Sequence, residues 1–335
     1  MPFNVSAGPL SSSSACPLCE AECPRRRIAS VAYRDVWEAL ATQWEVRVPE
    51  EVARRLTPAP ESSLLACGAC GLHYFSPALP GDGDYYAALA ASPRYYSPTK
   101  WEFDRVSDQL APGDAVLDVG CGAGDFLAAV APHVRRAVGV ETSATAVAAA
   151  RGRGLDVELG SPEVFARRRE GEFDAVCLFH VAEHLPDVLP LLRAAVRCLR
   201  PRGTLYVSVP NRRRICRGAL ESLDCPPHHL SRWAPRQFAW LAGALGMRLV
   251  RLDCEPADPA MLRDWLPRRL AARLEKIPWA GAALGWLSTR ILDRTVFHRR
   301  LLPAYRKTRF FDRLGFRGMS MLAAYVRAPA RGGGR

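Results

Sequence analysis

The chain has 335 residues, 49% of them hydrophobic, enough for one large core plus a smaller module and too apolar for general disorder. Its net charge of +12 is almost wholly arginine, with Lys100, Lys276 and Lys307 the only lysines; the arginine clusters at 25–27, 167–169 and 212–214 lack interleaved aromatics, which argues for solvated surface and against a specific nucleic-acid face. No apolar run, Trp279–Leu287 included, approaches the roughly 18 to 20 residues that cross a bilayer, and residues 1–15 lack the basic start and apolar run of a secretory signal, so a cytoplasmic protein is expected.

Eleven cysteines without an export signal point to thiols and metal ligation, not to a disulfide framework. Two C-x-x-C knuckles stand at Cys16-Pro17-Leu18-Cys19 and Cys67-Gly68-Ala69-Cys70. Each lets two thiolates close on a tetrahedral Zn²⁺ from a tight turn, and together they supply four ligands. Cys23 is an alternative ligand. The 47 residues between the knuckles exceed the roughly 15 to 20 of compact zinc sites. Within them, 34–56 carries Val36, Trp37, Leu40 and Trp44 near i, i+4 spacing, which predicts an inserted helix. Residues 1–80 are assigned to a zinc-binding region, and 81–98, rich in Tyr, Pro and Ser, to a linker.

The segment Val116-Leu117-Asp118-Val119-Gly120-Cys121-Gly122-Ala123-Gly124-Asp125-Phe126-Leu127 reads as an apolar strand, a glycine-rich turn and a helix. Glycine lets the backbone turn sharply and approach a ligand that a Cβ would block. A dinucleotide fingerprint counted from Gly120 and Gly122 would need a glycine where Asp125 stands, so a pyrophosphate is not the expected ligand. A second strand from Arg136 to Val140 ends in Glu141, about 20 residues past the turn, where an acid accepts hydrogen bonds from both ribose hydroxyls.

Phe173–His180 reads as a buried strand, followed by Val181-Ala182-Glu183-His184-Leu185-Pro186-Asp187, and the Pro201-Arg202-Gly203 turn starts another strand that runs to Pro210-Asn211. Strands near 114, 136, 155, 173 and 203 alternate with helices near 125, 143, 162, 187 and 235, and 248–253 with 319–327 read as the sixth and seventh strands. That alternation predicts a parallel, doubly wound sheet, which binds ligands at the carboxyl ends of its strands. His184 follows the fourth strand there. His229 follows the fifth, in Pro226-Pro227-His228-His229-Leu230-Ser231-Arg232-Trp233. A histidine in such a place suits proton removal from an acceptor, and Glu183 and Asn211 are candidates for orienting that acceptor.

Residues 254–317 are expected to form a helical insertion, with Met261, Trp265 and Leu270 on one side and Arg263, Arg269 and Arg273 on the other. Such a helix caps a pocket or rests on an anionic membrane surface. Residues 318–329 are the expected last core strand and 330–335 a disordered tail.

Taken together, Asp118-x-Gly120-x-Gly122-x-Gly124, Glu141, the Glu183-His184-x-Pro186-Asp187 turn and the Pro201–Asn211 segment resemble the motifs of class I S-adenosylmethionine-dependent methyltransferases. The resemblance covers most of residues 95–253. It implies an α/β fold, a Rossmann-like seven-stranded methyltransferase sheet with a small N-terminal zinc-ribbon region and a helical C-terminal insertion. It also implies S-adenosylmethionine as cofactor, at Asp118, Gly120, Cys121, Gly122, Gly124, Glu141, Phe179 and His180. Cys67–Pro77 resembles the second half of the zinc ribbon that precedes the catalytic domain in a subset of these enzymes, sugar C-methyltransferases among them, which implies structural zinc on Cys16, Cys19, Cys67 and Cys70. His229-Leu230-Ser231 lies where that subset has the histidine of an E-H-L-S-Y-like motif, proposed there as base; here its neighbours are His228 and Arg232. The implied activity is methyl transfer to a small molecule such as a sugar, nucleotide sugar or secondary metabolite, with His229 as base and His184 as second candidate. A protein or RNA substrate, or a non-catalytic S-adenosylmethionine-binding module, are the alternatives, and the oligomeric state stays open.

Overall fold

The computed structural model describes residues 15–93, 95, 99–214, 220–256 and 318–327. Residues 257–317 of the expected insertion, the expected tail, and residues 94 and 96–98 of the expected linker lie outside them. The chain enters its first sheet at β1 (Arg25–Ala32) and passes through α1 (Tyr33–Gln43) and α2 (Glu50–Arg55) before β2 (Glu61–Cys67) and β3 (His73–Ser76). β1 pairs antiparallel with β2, and β2 with β3. The long gap between the cysteine knuckles is thus a helical insertion. α1 buries Tyr33, Val36 and Leu40, residues three and four apart that share one helical face.

Asp82 caps α3 (Gly83–Ala90), its side chain accepting the Tyr85 N–H at 3.0 Å. Tyr85 and Leu89 then drop into a core with Val31, Val36, Leu40, Leu64 and Phe75. Residues 81–98 are therefore not a plain linker. The i, i+4 pair Tyr85 and Leu89 makes a packed helix in a stretch whose Tyr, Pro and Ser content suggested only a connection.

After α4 (Trp101–Ser107) the chain alternates: β4 (Ala115–Val119), α5 (Asp125–Val130), β5 (Arg136–Glu141), α6 (Ala144–Gly152), β6 (Val157–Leu159), α7 (Pro162–Arg168), β7 (Phe173–Phe179), α8 (Leu189–Cys198) and β8 (Leu199–Pro210). A two-residue β9 (Ser231–Arg232), α9 (Pro235–Ala244), β10 (Met247–Cys254) and β11 (Ser320–Arg327) complete it. The seven-stranded sheet has the order β10-β11-β8-β7-β4-β5-β6, with β4–β5, β5–β6, β4–β7 and β7–β8 parallel. The end of β11 meets the start of β8, where Arg327 Nη1 donates to the Leu199 carbonyl at 2.9 Å, so the last strand runs against its neighbour. All of β4 is buried, as a strand covered on both faces must be. The chain winds outward from β4 to β6 and returns to β7 on the other side of β4. That reversal opens a crevice at the carboxyl ends of β4 and β7.

β9 does not join this sheet. It pairs antiparallel with β3, His73 opposite Arg232 and Tyr74 opposite Ser231, and Cys225 lies in the core beneath α1 and α3. The expected boundary at residue 80 therefore does not separate two cores, because the first sheet takes its fourth strand from the loop after β8. Both sheets belong to one compact unit. In a second unit, drawn from 211–218 and 254–320, the Glu255 carboxylate accepts the backbone N–H groups of Met319 (2.8 Å) and Ser320 (3.1 Å). Among the described residues no helix is long and apolar enough to cross a membrane.

Candidate active site and metal centre

The glycine turn leaves β4 with Gly120, Gly122 and Gly124 at φ +74, +54 and +81. A Cβ on Gly120 would stand 2.7 Å from Val181 Cγ2, and one on Gly124 2.4 Å from Leu155 Cδ1, whereas one on Gly122 would meet open space. Two of the glycines let the turn pack, and the third offers bare backbone to a ligand. Asp118, opposite Gly139 of β5, is buried, and its Oδ1 has no hydrogen-bond partner among the described residues. Burial pushes its carboxyl up to about 7, with Lys100 opposing and Glu141 adding to the shift. A buried acceptor without a partner suits a ligand's donor group. Glu141 is aimed at the turn: Oε2 accepts the Gly122 N–H at 3.0 Å, and Oε1 those of Thr142 (2.7 Å) and Ser143 (2.8 Å). The residues present fit an adenosyl cofactor.

Three of the expected cofactor residues have their side chains engaged by the protein itself. Burial pushes the Cys121 thiol up, and its Sγ fills the space beside Gly139. The Phe179 side chain is buried against Phe103 (5.0 Å between ring centroids) and Phe126 (4.7 Å), so its ring is core; an apolar residue ending a largely buried strand is drawn inward. His180 takes a left-handed step (φ +57), strained for a side chain with a Cβ, and two carboxylates hold it. Nε2 lies 2.8 Å from Glu102 Oε1 and Nδ1 3.2 Å from Glu183 Oε1. Burial opposes its charge, but the hydrogen bond to Glu102 and then the charge of Glu183 prevail and raise its pKa to about 9.

A single turn, Ala182–His184, follows. Glu183 is fully buried, and its carbonyl accepts the Leu230 N–H at 2.8 Å, which joins the loop after β7 to the loop after β8. Its Oε1 lies 3.9 Å from His184 Nε2 and 4.0 Å from His229 Nε2; these, like the His180 contact, are ion-pair distances without hydrogen-bond alignment. His184 Nδ1 stands 2.6 Å from the His228 carbonyl. A carbonyl only accepts, so Nδ1 carries the proton and Nε2 is the basic end. Burial lowers the His184 pKa, against the pull of Glu183. His228 uses both nitrogens, Nδ1 toward the Leu223 carbonyl (2.9 Å) and Nε2 toward the Tyr95 hydroxyl (2.8 Å). Burial, with His184 adding, lowers it to about 3.

The fold thus brings His184 and His229, which follow two different strands, together around Glu183. Sequence reasoning missed Glu102, Tyr95, and Tyr86, whose hydroxyl is 3.0 Å from His184 Nδ1. The signal was present in the tyrosine doublets 85–86 and 95–96 of the supposed linker.

The two cysteine knuckles also meet. Cys16 Sγ is 3.6 Å from Cys70 Sγ and Cys19 Sγ 3.5 Å from Cys67 Sγ, and the four sulfurs lie within 4.8 Å of one another. Four thiolates around zinc, with Zn–S near 2.3 Å, stand about 3.8 Å apart, so the set fits that ion. Each knuckle closes on a left-handed residue, Glu20 (φ +55) and Gly71 (φ +73), whose N–H groups return to the Cys16 and Cys67 carbonyls at 2.9 and 3.0 Å. Cys23 Sγ is 3.3 Å from Cys67 Sγ but outside the set of four.

A family model described as a methyltransferase domain matches residues 95–252. The ubiquinone biosynthesis O-methyltransferase of Thiobacillus denitrificans is 37% identical over 113 residues, 31% of this chain and 49% of that protein. Its counterpart in Methylococcus capsulatus is 32% identical over 174 residues, 45% of this chain and 73% of that protein. The chain spans about half the length of the first of these relatives. A solved SAM-dependent methyltransferase from Archaeoglobus fulgidus superposes with a TM-score of 0.44 at 17% identity, covering 67% of this chain and 94% of that one.

Proposed function

This chain belongs to the class I S-adenosylmethionine-dependent methyltransferases, and on that premise we propose that it methylates a hydroxyl of a small-molecule acceptor and carries one structural zinc in its cysteine knuckles. The observation that carries the reading is Glu183, a buried carboxylate within 4.0 Å of the Nε2 atoms of both His184 and His229. When bound, the cofactor supplies an electrophilic methyl on its sulfonium. Asp118 and the bare backbone of Gly122 would hold it, and Glu141 would exchange its backbone partners for the ribose hydroxyls.

The chain's own task is then to orient the acceptor and take its proton. His229 is the base by resemblance. His184 is its rival by geometry, since its tautomer leaves Nε2 basic. A proton taken at either Nε2 creates an imidazolium beside Glu183, which would stabilise it as a buried carboxylate does in hydrolase triads. The relatives' names support an oxygen acceptor, and phenolic, sugar and nucleotide-sugar hydroxyls are the classes to try. The test is transfer of labelled methyl from S-adenosylmethionine to such a panel, with amines and thiols beside them. Label on a hydroxyl is the expected result, and transfer confined to nitrogen or sulfur contradicts it. Elemental analysis of protein prepared without chelator should find one zinc per chain; metal-free, folded protein contradicts the zinc reading.

A further inference from the structure

The knuckles and the histidine loops are fastened to each other through the backbone. In the first knuckle the Pro17 carbonyl accepts the N–H of Val188 at 3.2 Å, at the far end of the loop that begins with His184. In the second, Gln237 Nε2 donates to the Cys70 carbonyl and Arg236 Nη2 to the Ala69 carbonyl, each at 2.7 Å, at the start of the helix that ends the His229 loop. Between these anchors the Phe75 N–H donates to Leu230 O and the Gly81 N–H to Pro227 O, both at 2.9 Å, and β3 pairs with β9. None of these bonds involves the glycine turn or Glu141.

We propose that the metal-loaded knuckles are the positioning device for the acceptor histidines, so that zinc occupancy governs methyl transfer without governing cofactor binding. A metal cross-links segments far apart in sequence and fixes the turns that carry its ligands. Here the fixed turns present the Pro17, Ala69 and Cys70 carbonyls, and those carbonyls hold both loops in register around Glu183. Gln237 is the principal link. It is fully buried, and while Nε2 donates to the knuckle its Oε1 accepts the Ala234 N–H at 2.9 Å, so both ends of its amide are committed to backbone. Gln237 and Arg236 are positioning residues acting through His184 and His229. The inference rests on the zinc and methyl-transfer readings above.

The test uses the full, zinc-loaded chain carrying Gln237→Glu, which keeps the acceptor for Ala234 but sets a second acceptor against the Cys70 carbonyl. Four quantities are read: metal content, S-adenosylhomocysteine affinity, turnover, and the NMR titration of the His184 ring, assigned by its loss in His184→Ala. The groups that face that ring are Glu183, His180, His228, His229, Tyr86 and Lys100, and the substitution alters none of them. The expected result is unchanged cofactor affinity, turnover lower by on the order of tenfold or more, and a His184 midpoint moved up toward the ordinary value of about 6.5 as water reaches the loop. Chelation of the wild-type protein should shift the same two readouts the same way.

An unmoved His184 midpoint in Gln237→Glu that still binds S-adenosylhomocysteine overturns the proposal. If that variant binds none, the core has failed, and Arg236→Ala decides in its place, since Arg236 is exposed. It should give a smaller upward shift, and no shift overturns the proposal. A wild-type protein without metal sinks the zinc reading and this proposal with it. A panel without methylated product sinks the transfer reading alone, because the His184 titration still reports on the coupling.

Discussion

Glu183 and His184, neighbours in one turn after β7, stand with carboxylate and Nε2 3.9 Å apart while the opposite ring nitrogen of His184 is committed to the His228 carbonyl at 2.6 Å. Neither group can turn away, because Glu183 is fully buried and the ring is pinned at Nδ1. Replacing the carboxylate by an amide of the same shape removes the charge that favours the imidazolium. Glu183→Gln is therefore expected to lower turnover by on the order of 10 to 10³, with S-adenosylhomocysteine affinity unchanged. Wild-type turnover in that variant would show that no charge develops beside it.

The choice between the two histidines is a comparison of alanine variants. The base should lose on the order of 10² to 10⁴ in turnover at near-normal cofactor affinity, since it acts on the acceptor. Loss in His229→Ala alone keeps the role at His229, and near-normal turnover there with a large loss in His184→Ala moves it to His184. If His184 is the base, burial holds its pKa down, so the acid limb of the rate profile should fall below the ordinary 6.5 or so. Loss in neither variant would leave catalysis to positioning alone.

The histidines also set how stability varies with pH. His180 is raised to about 9, so between about 6.5 and 9 the folded state holds a proton that the unfolded state has released, and stability falls as pH rises through that window. His228 is lowered to about 3 and His184 is lowered too, so below about 6.5 the unfolded state binds more protons and stability falls as pH drops. Asp118, raised to about 7, opposes the acid limb, because between about 4 and 7 its folded form keeps a proton that the unfolded carboxylate has released. Urea midpoints should therefore fall most clearly above about 6.5, and His180→Gln should flatten that alkaline limb. An alkaline limb unchanged in His180→Gln would contradict the assignment.

Much of the fold was legible because its signals are local. The strand, glycine turn and Glu141 are contiguous or about one βαβ unit apart, and the seven strands stand where apolar runs and turn residues put them. The cysteine knuckles were legible despite the long gap, since the periodicity of Val36 and Leu40 announced an inserted helix. What stayed hidden depends on partners distant in sequence. Ser231–Arg232 carries no strand signal of its own and becomes β9 only because β3 offers an edge. Tyr86 and Tyr95 looked like linker residues until α3 packed and set them against His184 and His228. Phe179 was assigned by motif position, and the core claimed its ring.

The central claim, an adenosyl cofactor on the β4 turn with Glu141 on its ribose, is tested most directly by calorimetric titration of S-adenosylhomocysteine into the wild-type chain and Glu141→Ala. Loss of charge-assisted hydrogen bonds to the ribose should weaken binding by about 1 to 3 kcal/mol, which is a drop of roughly 5- to 150-fold from a low-micromolar wild-type affinity. Binding of NAD with no binding of S-adenosylhomocysteine, or equal affinity in the two proteins, would contradict it.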